Sequence, residues 1–421
     1  MTQLAYDVRT STADVDGEPV SNIVRTRARA YPGLNAAAPL NRVLYEEACE
    51  QLAGAKVVWD VGAGSGFGAA ILAERHDCVI AIDPDATARA FATRLAPNVV
   101  VVASGDEQPS PDGAAIIDVL GHVTSPFALL RDLRKNLPEG ARVFVAEAAA
   151  YPNQTLVHPA RRAFSVSALE GLADAAGFRV TAWTSRAGTF LACTLVAIED
   201  DGAAALEQGA MAMSAGDAEA ARASYERAAA SPHRGIQREA ALAMADLHYA
   251  MRDGDLACAA YMRAHEIDSA DPRPLAALAQ LLCEAEDIKT AARFAQEAVA
   301  LEPADAGAQV AMAVVLEAAS AQNSLESWRK ASSLAPDQSE VVSRYATLAL
   351  GAGDATSALL ALDRARSFGE DDGPSLNIVL TRVLLALGRK ADAKGEASLA
   401  KAKAPDHPAV IALLAEVDAA S

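Results

Sequence analysis

Residues 57–68 read Val-Val-Trp-Asp-Val-Gly-Ala-Gly-Ser-Gly-Phe-Gly, and the apolar stretch that follows closes on Asp83. An apolar strand here runs into a glycine turn that opens a helix over 69–74. A second strand over 78–82 then ends in the acid. Gly62 and Gly64 let the backbone turn tightly and let a ligand approach where a Cβ would block it. Asp83, one strand–helix–strand unit on, is placed to accept hydrogen bonds from both hydroxyls of a ribose. The stretch therefore predicts a nucleoside pocket in an α/β fold.

The glycine spacing separates two cofactor classes. A dinucleotide fold uses Gly-x-Gly-x-x-Gly, with a helix N-terminus facing a pyrophosphate. Here Gly62 and Gly64 are followed by Gly66, and Phe67 stands where the third glycine would fall. Asp60 also ends the first strand. Its carboxylate would repel a pyrophosphate and suits a positively charged amino acid or sulfonium. The pattern Asp60-x-Gly62-x-Gly64-x-Gly66 resembles the first motif of class I S-adenosylmethionine-dependent methyltransferases. The rival readings are a dinucleotide site and an ordinary strand–turn–helix that binds nothing.

The resemblance extends over roughly residues 40–195. Asp106 and Glu107 follow the apolar run 99–102, where these enzymes usually place an acid near the adenine. Residues 112–123 look like the fourth strand and its exit, with Asp118 at the first acid of the family pattern and His122 at its histidine. Gly121 departs from the family's second acid. Leu137-Pro138-Glu139-Gly140 and the run 143–145 resemble the turn and fifth strand, and the stretch from Phe164 to Val180 resembles the approach to the sixth. The resemblance implies a Rossmann-like class I methyltransferase sheet. It implies S-adenosyl-L-methionine as cofactor, held by Asp60, Gly62, Gly64, Gly66, Asp83, Asp106 and Asp118.

The second half is periodic. Small residues recur at Ala221, Ala257, Ala291, Ser324, Ala358 and Ala393, and a second series follows at Ala228, Ala264, Ala298, Ala331, Ala365 and Ala400. Bulkier residues sit between the series at Tyr225, Tyr261, Trp328 and Leu362, and Pro303, Pro336 and Pro405 follow the second series. This is the tetratricopeptide pattern: small residues where two antiparallel helices touch, a plug between them, and a proline that breaks into the next unit. Six units fit over about 202–406, and Pro408–Ala420 is expected to be an end helix. The alternative is a plain alanine-rich bundle. The expected organisation is an N-terminal lid or helical segment over 1–44, a methyltransferase domain over 45–199 and an all-α tetratricopeptide solenoid over 202–421.

Composition bounds the partners. The net charge is −18, of which −5 falls in residues 1–199 and −13 beyond them. Nucleic-acid binding requires clustered Lys and Arg that release counterions, so this balance disfavours DNA or RNA. The one local basic cluster, Arg25, Arg27 and Arg29, is read as a solvated face or as a contact for an anionic substrate. Five cysteines (Cys49, Cys78, Cys193, Cys258, Cys283) show no metal-ligand spacing, so no metal is expected, and they read as buried thiols in a reducing compartment. No basic start followed by an apolar run marks a signal peptide. No apolar run approaches the ~18 residues that span a bilayer. The expected location is the cytoplasm, without membrane association.

Methyl transfer is an in-line displacement that chiefly requires alignment of the nucleophile, with a base only when the acceptor must lose a proton. Three groups are candidates for that work. His122 follows the fourth strand at the carboxyl end of the sheet, where ligands of open α/β folds bind, and its pKa suits general-base work; the alternative is a histidine that packs or caps. His158 lies in the loop after the fifth strand, near Tyr151, Arg161 and Arg162; the alternative is a surface histidine. Glu147 ends the fifth strand and is read either as orienting an acceptor or as capping a turn. The roles of Tyr31 and Tyr45, in the N-terminal segment, stay open.

The reading is a methyltransferase whose repeats recruit or position a protein, a peptide or an acceptor carried by one. Stacked helix pairs present a concave surface suited to such a partner. A small-molecule or glycan acceptor, with the array used for oligomerisation, is the second reading. A non-catalytic scaffold that keeps the fold is the third.

Overall fold

The computed structural model describes residues 39–123, 125–150, 162–185, 190–321, 323–368 and 373–420. His158, Tyr31, Tyr151, Arg161, the Arg25–Arg27–Arg29 cluster and most of the expected lid lie outside the described residues.

The first elements are α1 (Pro39–Gln51), β1 (Val57–Val61), α2 (Phe67–Leu72), β2 (Cys78–Ile82), α3 (Ala86–Leu95), β3 (Val100–Val102) and β4 (Gly113–Ile117). There follow α4 (Pro126–Asn136), β5 (Arg142–Ala148), α5 (Val166–Ala175), β6 (Phe178–Ser185) and β7 (Phe190–Ala197). The seven strands form one sheet in the order β3-β2-β1-β4-β5-β7-β6. Strands β1 to β5 pair in parallel, and β7 runs antiparallel between β5 and β6. The strand order reverses between β1 and β4, the switch point where an open α/β sheet leaves a crevice at its carboxyl ends.

Alternation along β1 divides its side chains between two cores. Trp59 and Val61 join Ile80, Ile82, Ile116 and Leu120 on one face. Val58 joins Leu44, Tyr45, Phe67, Leu72 and Val79 on the other, beneath α1 and α2. Side chains alternate along a strand, so Asp60 falls on the second face. It is completely buried there.

Beyond the sheet come α6 (Asp201–Ser214), α7 (Ala218–Ala229), α8 (Arg234–Ala250), α9 (Gly254–Ile267), α10 (Arg273–Glu284) and α11 (Ile288–Leu301). Then come α12 (Ala306–Ala318), α13 (Ser324–Leu334), α14 (Ser339–Gly351), α15 (Ala355–Arg366), α16 (Ser375–Ala386), α17 (Lys390–Lys403) and the end helix α18 (Pro408–Ala420). Helices α6 to α17 are the six expected pairs. Eleven of the twelve small positions are buried, and Ser324 is half-buried. The plugs Tyr225, Tyr261, Trp328 and Leu362 are buried with them.

Each pair turns in the same way. Gly216, Arg252, Glu286, Ser320, Gly353 and Gly388 all have φ between 52° and 85°. In each turn the next residue's N–H closes on a carbonyl five places back, as from Asp217 to Ala212 and from Arg389 to Leu384, at 2.8–2.9 Å. This satisfies the last carbonyls of the first helix. Asp217, Asp253, Asp287 and Asp354 then cap the second helix by accepting from the N–H three residues on.

The chain divides into two compact units. The first contains the sheet and the array as far as Leu281, and the second is built mainly from Leu282 onward. The boundary read at 199–202 therefore falls inside the first unit. Arg131 of α4, 1% exposed, donates to Asp200 and to Glu207 of α6. Arg134 donates to the carbonyl of Ile198. Arg238 of α8 donates to Asp174 of α5 at 2.7 Å and to Asp268 at 2.8 Å. Gly235 and Gly171 keep these contacts open. A Cβ on Gly235 would lie 2.2 Å from the Asp174 carboxyl carbon, and one on Gly171 would lie 2.4 Å from Nη1 of Arg273.

Candidate functional site

The carboxyl ends of β1, β2 and β4 bring the expected residues into one crevice. The register pairs Val61 with Ile82 and with Ile116, so the turns after the three strands adjoin. Asp60 is the next-to-last residue of β1, Asp83 lies one residue after β2, and Asp118 one residue after β4. Gly62 and Ala63 donate backbone N–H bonds to the carbonyl of Ile82 at 2.8 and 3.1 Å. Asp83 is 3% exposed and accepts from the N–H of Gly64 and of Asp85, both at 2.9 Å. These two bonds fix the position of the carboxylate.

Gly62, Gly64 and Gly66 all lie in the left-handed region, at φ 71°, 54° and 78°. For Gly62 the reason lies inside the protein as well as toward a ligand. A Cβ there would come within 2.5 Å of Cγ2 of Val119, in the turn after β4. The missing side chain lets the two turns that border the crevice touch.

Asp118 adopts φ 60° without being a glycine. Strain of that kind costs on the order of 1–3 kcal/mol and persists where the surroundings over-determine it. The surroundings here are the fifth strand. The N–H of Asp118 donates to the carbonyl of Ala146 at 2.7 Å. Glu147, fully buried, accepts from the N–H groups of Val119, Leu120 and Gly121 at 2.8, 2.7 and 3.2 Å. Of its two readings, the structure shows the cap: the carboxylate is engaged by backbone donors and shapes the turn that carries His122. The His122 ring is buried, with Nε2 3.6 Å from Oδ1 of Asp118.

Asp106 is exposed after β3 and accepts from the N–H of Ala103 at 2.8 Å. Tyr45, whose role the sequence left open, donates its hydroxyl to Oδ1 of Asp60 at 3.1 Å. Its ring meets Phe67 edge-on, with centroids 6.5 Å apart. The signal was Gly68, a helical glycine that no positive φ requires; a Cβ there would lie 1.8 Å from Cζ of Tyr45. Among the described residues no cluster of His, Cys, Asp and Glu has metal-binding form.

This donor set fits one cofactor class better than another. Two buried acids at adjoining strand ends suit an ammonium and a ribose diol, and oppose a pyrophosphate. Residues 35–182 match the family model of the methyltransferase domain. The chain thus carries a domain that matches the methyltransferase family model, followed by an array of helix pairs. No curated protein matches the chain significantly. Among solved structures, the YcgJ protein of Bacillus subtilis is 12% identical, with a TM-score of 0.33 over 38% of this chain and 99% of that one. An O-methyltransferase family protein of Burkholderia thailandensis is 15% identical, with a TM-score of 0.34 over 39% of this chain and 58% of that one. PilF of Pseudomonas aeruginosa is 19% identical, with a TM-score of 0.42 over 52% of this chain and 98% of that one. Likenesses at these scores carry nothing about substrate or partner.

Proposed function

We propose that this methyltransferase domain uses S-adenosyl-L-methionine and that the array recruits or positions a protein, peptide or carrier-bound acceptor. The observation that carries the cofactor is the pair of buried carboxylates, Asp60 and Asp83, around the turn of Gly62, Gly64 and Gly66. When bound, S-adenosylmethionine supplies a sulfonium methyl and a neutral leaving group. Asp60 receives the ammonium of the amino-acid end. Asp83 accepts from the two ribose hydroxyls, Asp106 borders the adenine side, and Asp118 lines the floor of the crevice. His122, held by the turn that Glu147 caps, accepts a proton from an acceptor hydroxyl or amine that must lose one. His158 is a second candidate for that step.

The array's stacked pairs support the partner reading, and its negative charge favours protein over nucleic acid. Among the described residues no helix is long and apolar enough to cross a membrane. We place the protein in the cytoplasm.

Titration calorimetry with S-adenosylhomocysteine and NAD tests the cofactor. The homocysteine nucleoside should bind at micromolar strength and NAD far more weakly. Asp83→Ala removes two charge-assisted hydrogen bonds, each worth roughly 1.5–3 kcal/mol, so its affinity should fall tenfold or more. NAD binding without any response to S-adenosylhomocysteine would overturn the proposal.

A further inference from the structure

The carboxylate of Asp60 is fully buried beside an apolar cluster. A charge in such a place is costly unless hydrogen bonds hold it. Tyr45 supplies one of these, from a helix outside the glycine turn, at 3.1 Å. The phenol is itself fixed. It is 7% exposed, its ring lies edge-on to Phe67, and it occupies the space a side chain at position 68 would need. Both Phe67 and Gly68 belong to the helix that the glycine turn opens. Tyr45 therefore binds the acid at the end of β1 and the first residues of α2 at once.

We propose that Tyr45 is a positioning residue for the amino-acid end of the cofactor. Its hydroxyl holds the Asp60 carboxylate in the orientation that receives the ammonium. Its ring, seated over Gly68, makes α1 part of the wall that fixes that carboxylate. A neutral donor serves better here than an Arg or Lys. A cation would satisfy the carboxylate outright and would repel the incoming ammonium, whereas a phenol orients the acid and leaves its charge in place. The inference rests on the cofactor reading above.

The test separates orientation of Asp60 from packing of the helix. Affinities for S-adenosylhomocysteine and for methylthioadenosine, which lacks the amino-acid end, are measured by calorimetry on the full chain and on Tyr45→Phe. The variant keeps the ring and loses only the hydroxyl. Affinity for S-adenosylhomocysteine should fall about three- to tenfold, as for a weakened hydrogen bond to a charged group. Affinity for methylthioadenosine should not change. In an Asp60→Asn background the Tyr45→Phe change should add no further discrimination between the two nucleosides. Gly68→Ala, which must displace the ring, should reproduce the Tyr45→Phe discrimination or exceed it. Equal losses for both nucleosides in Tyr45→Phe would make Tyr45 a packing residue and overturn the proposal, and so would no loss for either. Failure of the cofactor reading looks different: the parent protein itself would then not favour S-adenosylhomocysteine over methylthioadenosine.

Discussion

Helix α8 in the first compact unit and helix α14 in the second are both first helices of a repeat pair, yet they face different neighbours. Helix α14 sets Val341, Val342, Tyr345 and Ala346 into an apolar cluster with Leu362 of its own pair and with Trp328, Leu376 and Leu380 of the flanking repeats. Helix α8 also packs apolar residues, Ile236, Ala240 and Leu247, in a cluster with Leu206 and Tyr225 of the preceding pair and with Ile198. In addition it carries Arg238, 4% exposed, toward Asp174 of the methyltransferase domain. The repeat pattern dictates how a helix meets the helices beside it in sequence. What it meets in the methyltransferase domain is set by residues that the pattern leaves free, and here these include charged ones. Buried charges are expensive to strand without partners, on the order of 3–5 kcal/mol per broken pair. The first repeats are therefore part of the fold of the catalytic unit, whereas the later ones pack mainly on their neighbours, with Asp337 before α14 also paired to Arg162.

The strongest test of that difference is to cut the chain. A fragment ending at residue 199 loses Asp200 and Glu207, the partners of the buried Arg131, and also Arg238, the partner of Asp174. It should be recovered aggregated or unable to bind the cofactor. A fragment ending at residue 286 retains the whole first unit. It should bind S-adenosylhomocysteine as the full chain does, by calorimetry. If the array recruits the acceptor, this longer fragment should show a raised KM with kcat unchanged, because tethering raises local concentration and leaves the barrier alone. A fully active 1–199 fragment would show that the charged joint is dispensable.

A smaller effect is expected from the joint's own acid. Burial pushes the Asp174 carboxyl up to about 7, against the opposing charge of Arg238 and with help from Glu239 and Glu170. The unfolded group ionises near 3.8. Between those values the folded state binds the extra proton, so stability falls as pH rises from about 4 to about 7. Asp174→Asn cannot ionise and should flatten that fall by on the order of 2–4 kcal/mol. Denaturant unfolding of the parent and the variant at pH 5 and pH 8 measures it. The same slope in both proteins would show that Asp174 stays ionised in its pair with Arg238.

What the sequence disclosed follows the same division. β2 was read at its observed bounds, because a fully buried strand is an unbroken apolar run ended by an acid. The six helix pairs were legible because the Ala series at 221 to 393 and 228 to 400 repeats at a fixed period. Asp60, next to last in β1, and Asp83, just after β2, lie at the carboxyl ends of neighbouring strands, as the motif's spacing requires. Glu147 stayed ambiguous because the donors it caps lie 26 to 28 residues earlier. Nothing local in the sequence distinguishes a cap from an acceptor contact. The apolar run of β7 marks a buried strand as that of β2 does, but nothing in it shows that it inserts antiparallel between β5 and β6. Arg131 and Arg134 carry no mark of burial in the sequence, because their partners lie 64 to 76 residues away. Long-range charge pairing has no period, and so it left no trace for pattern reading.

The smallest expected effect asks whether the turns, alike in both units, are also alike in energy. Arg252 in the first unit and Ser320 in the second hold φ 61° and 52° where Gly353 and Gly388 fill the same place with glycine. A left-handed residue with a Cβ costs roughly 1–2 kcal/mol. Glycine gives back about 0.5–1 kcal/mol of that through the greater freedom of the unfolded chain. Arg252→Gly and Ser320→Gly should therefore each stabilise by about 0.5–1 kcal/mol, which raises Tm by about 1–4 °C in units of this size. Conversely Gly353→Ala, which meets open space, should cost about 1 kcal/mol through φ alone. The turn is closed by its own backbone bonds and by an aspartate at the next position in four of the six pairs. Its energy should thus be indifferent to whether the helices lie against the methyltransferase domain or against other repeats. Calorimetric scans of the three variants decide this. Equal gains for Arg252→Gly and Ser320→Gly would confine the difference between the units to the charged joint. A gain at position 320 with a loss at 252 would mean that Arg252 itself helps to hold the array to the catalytic unit.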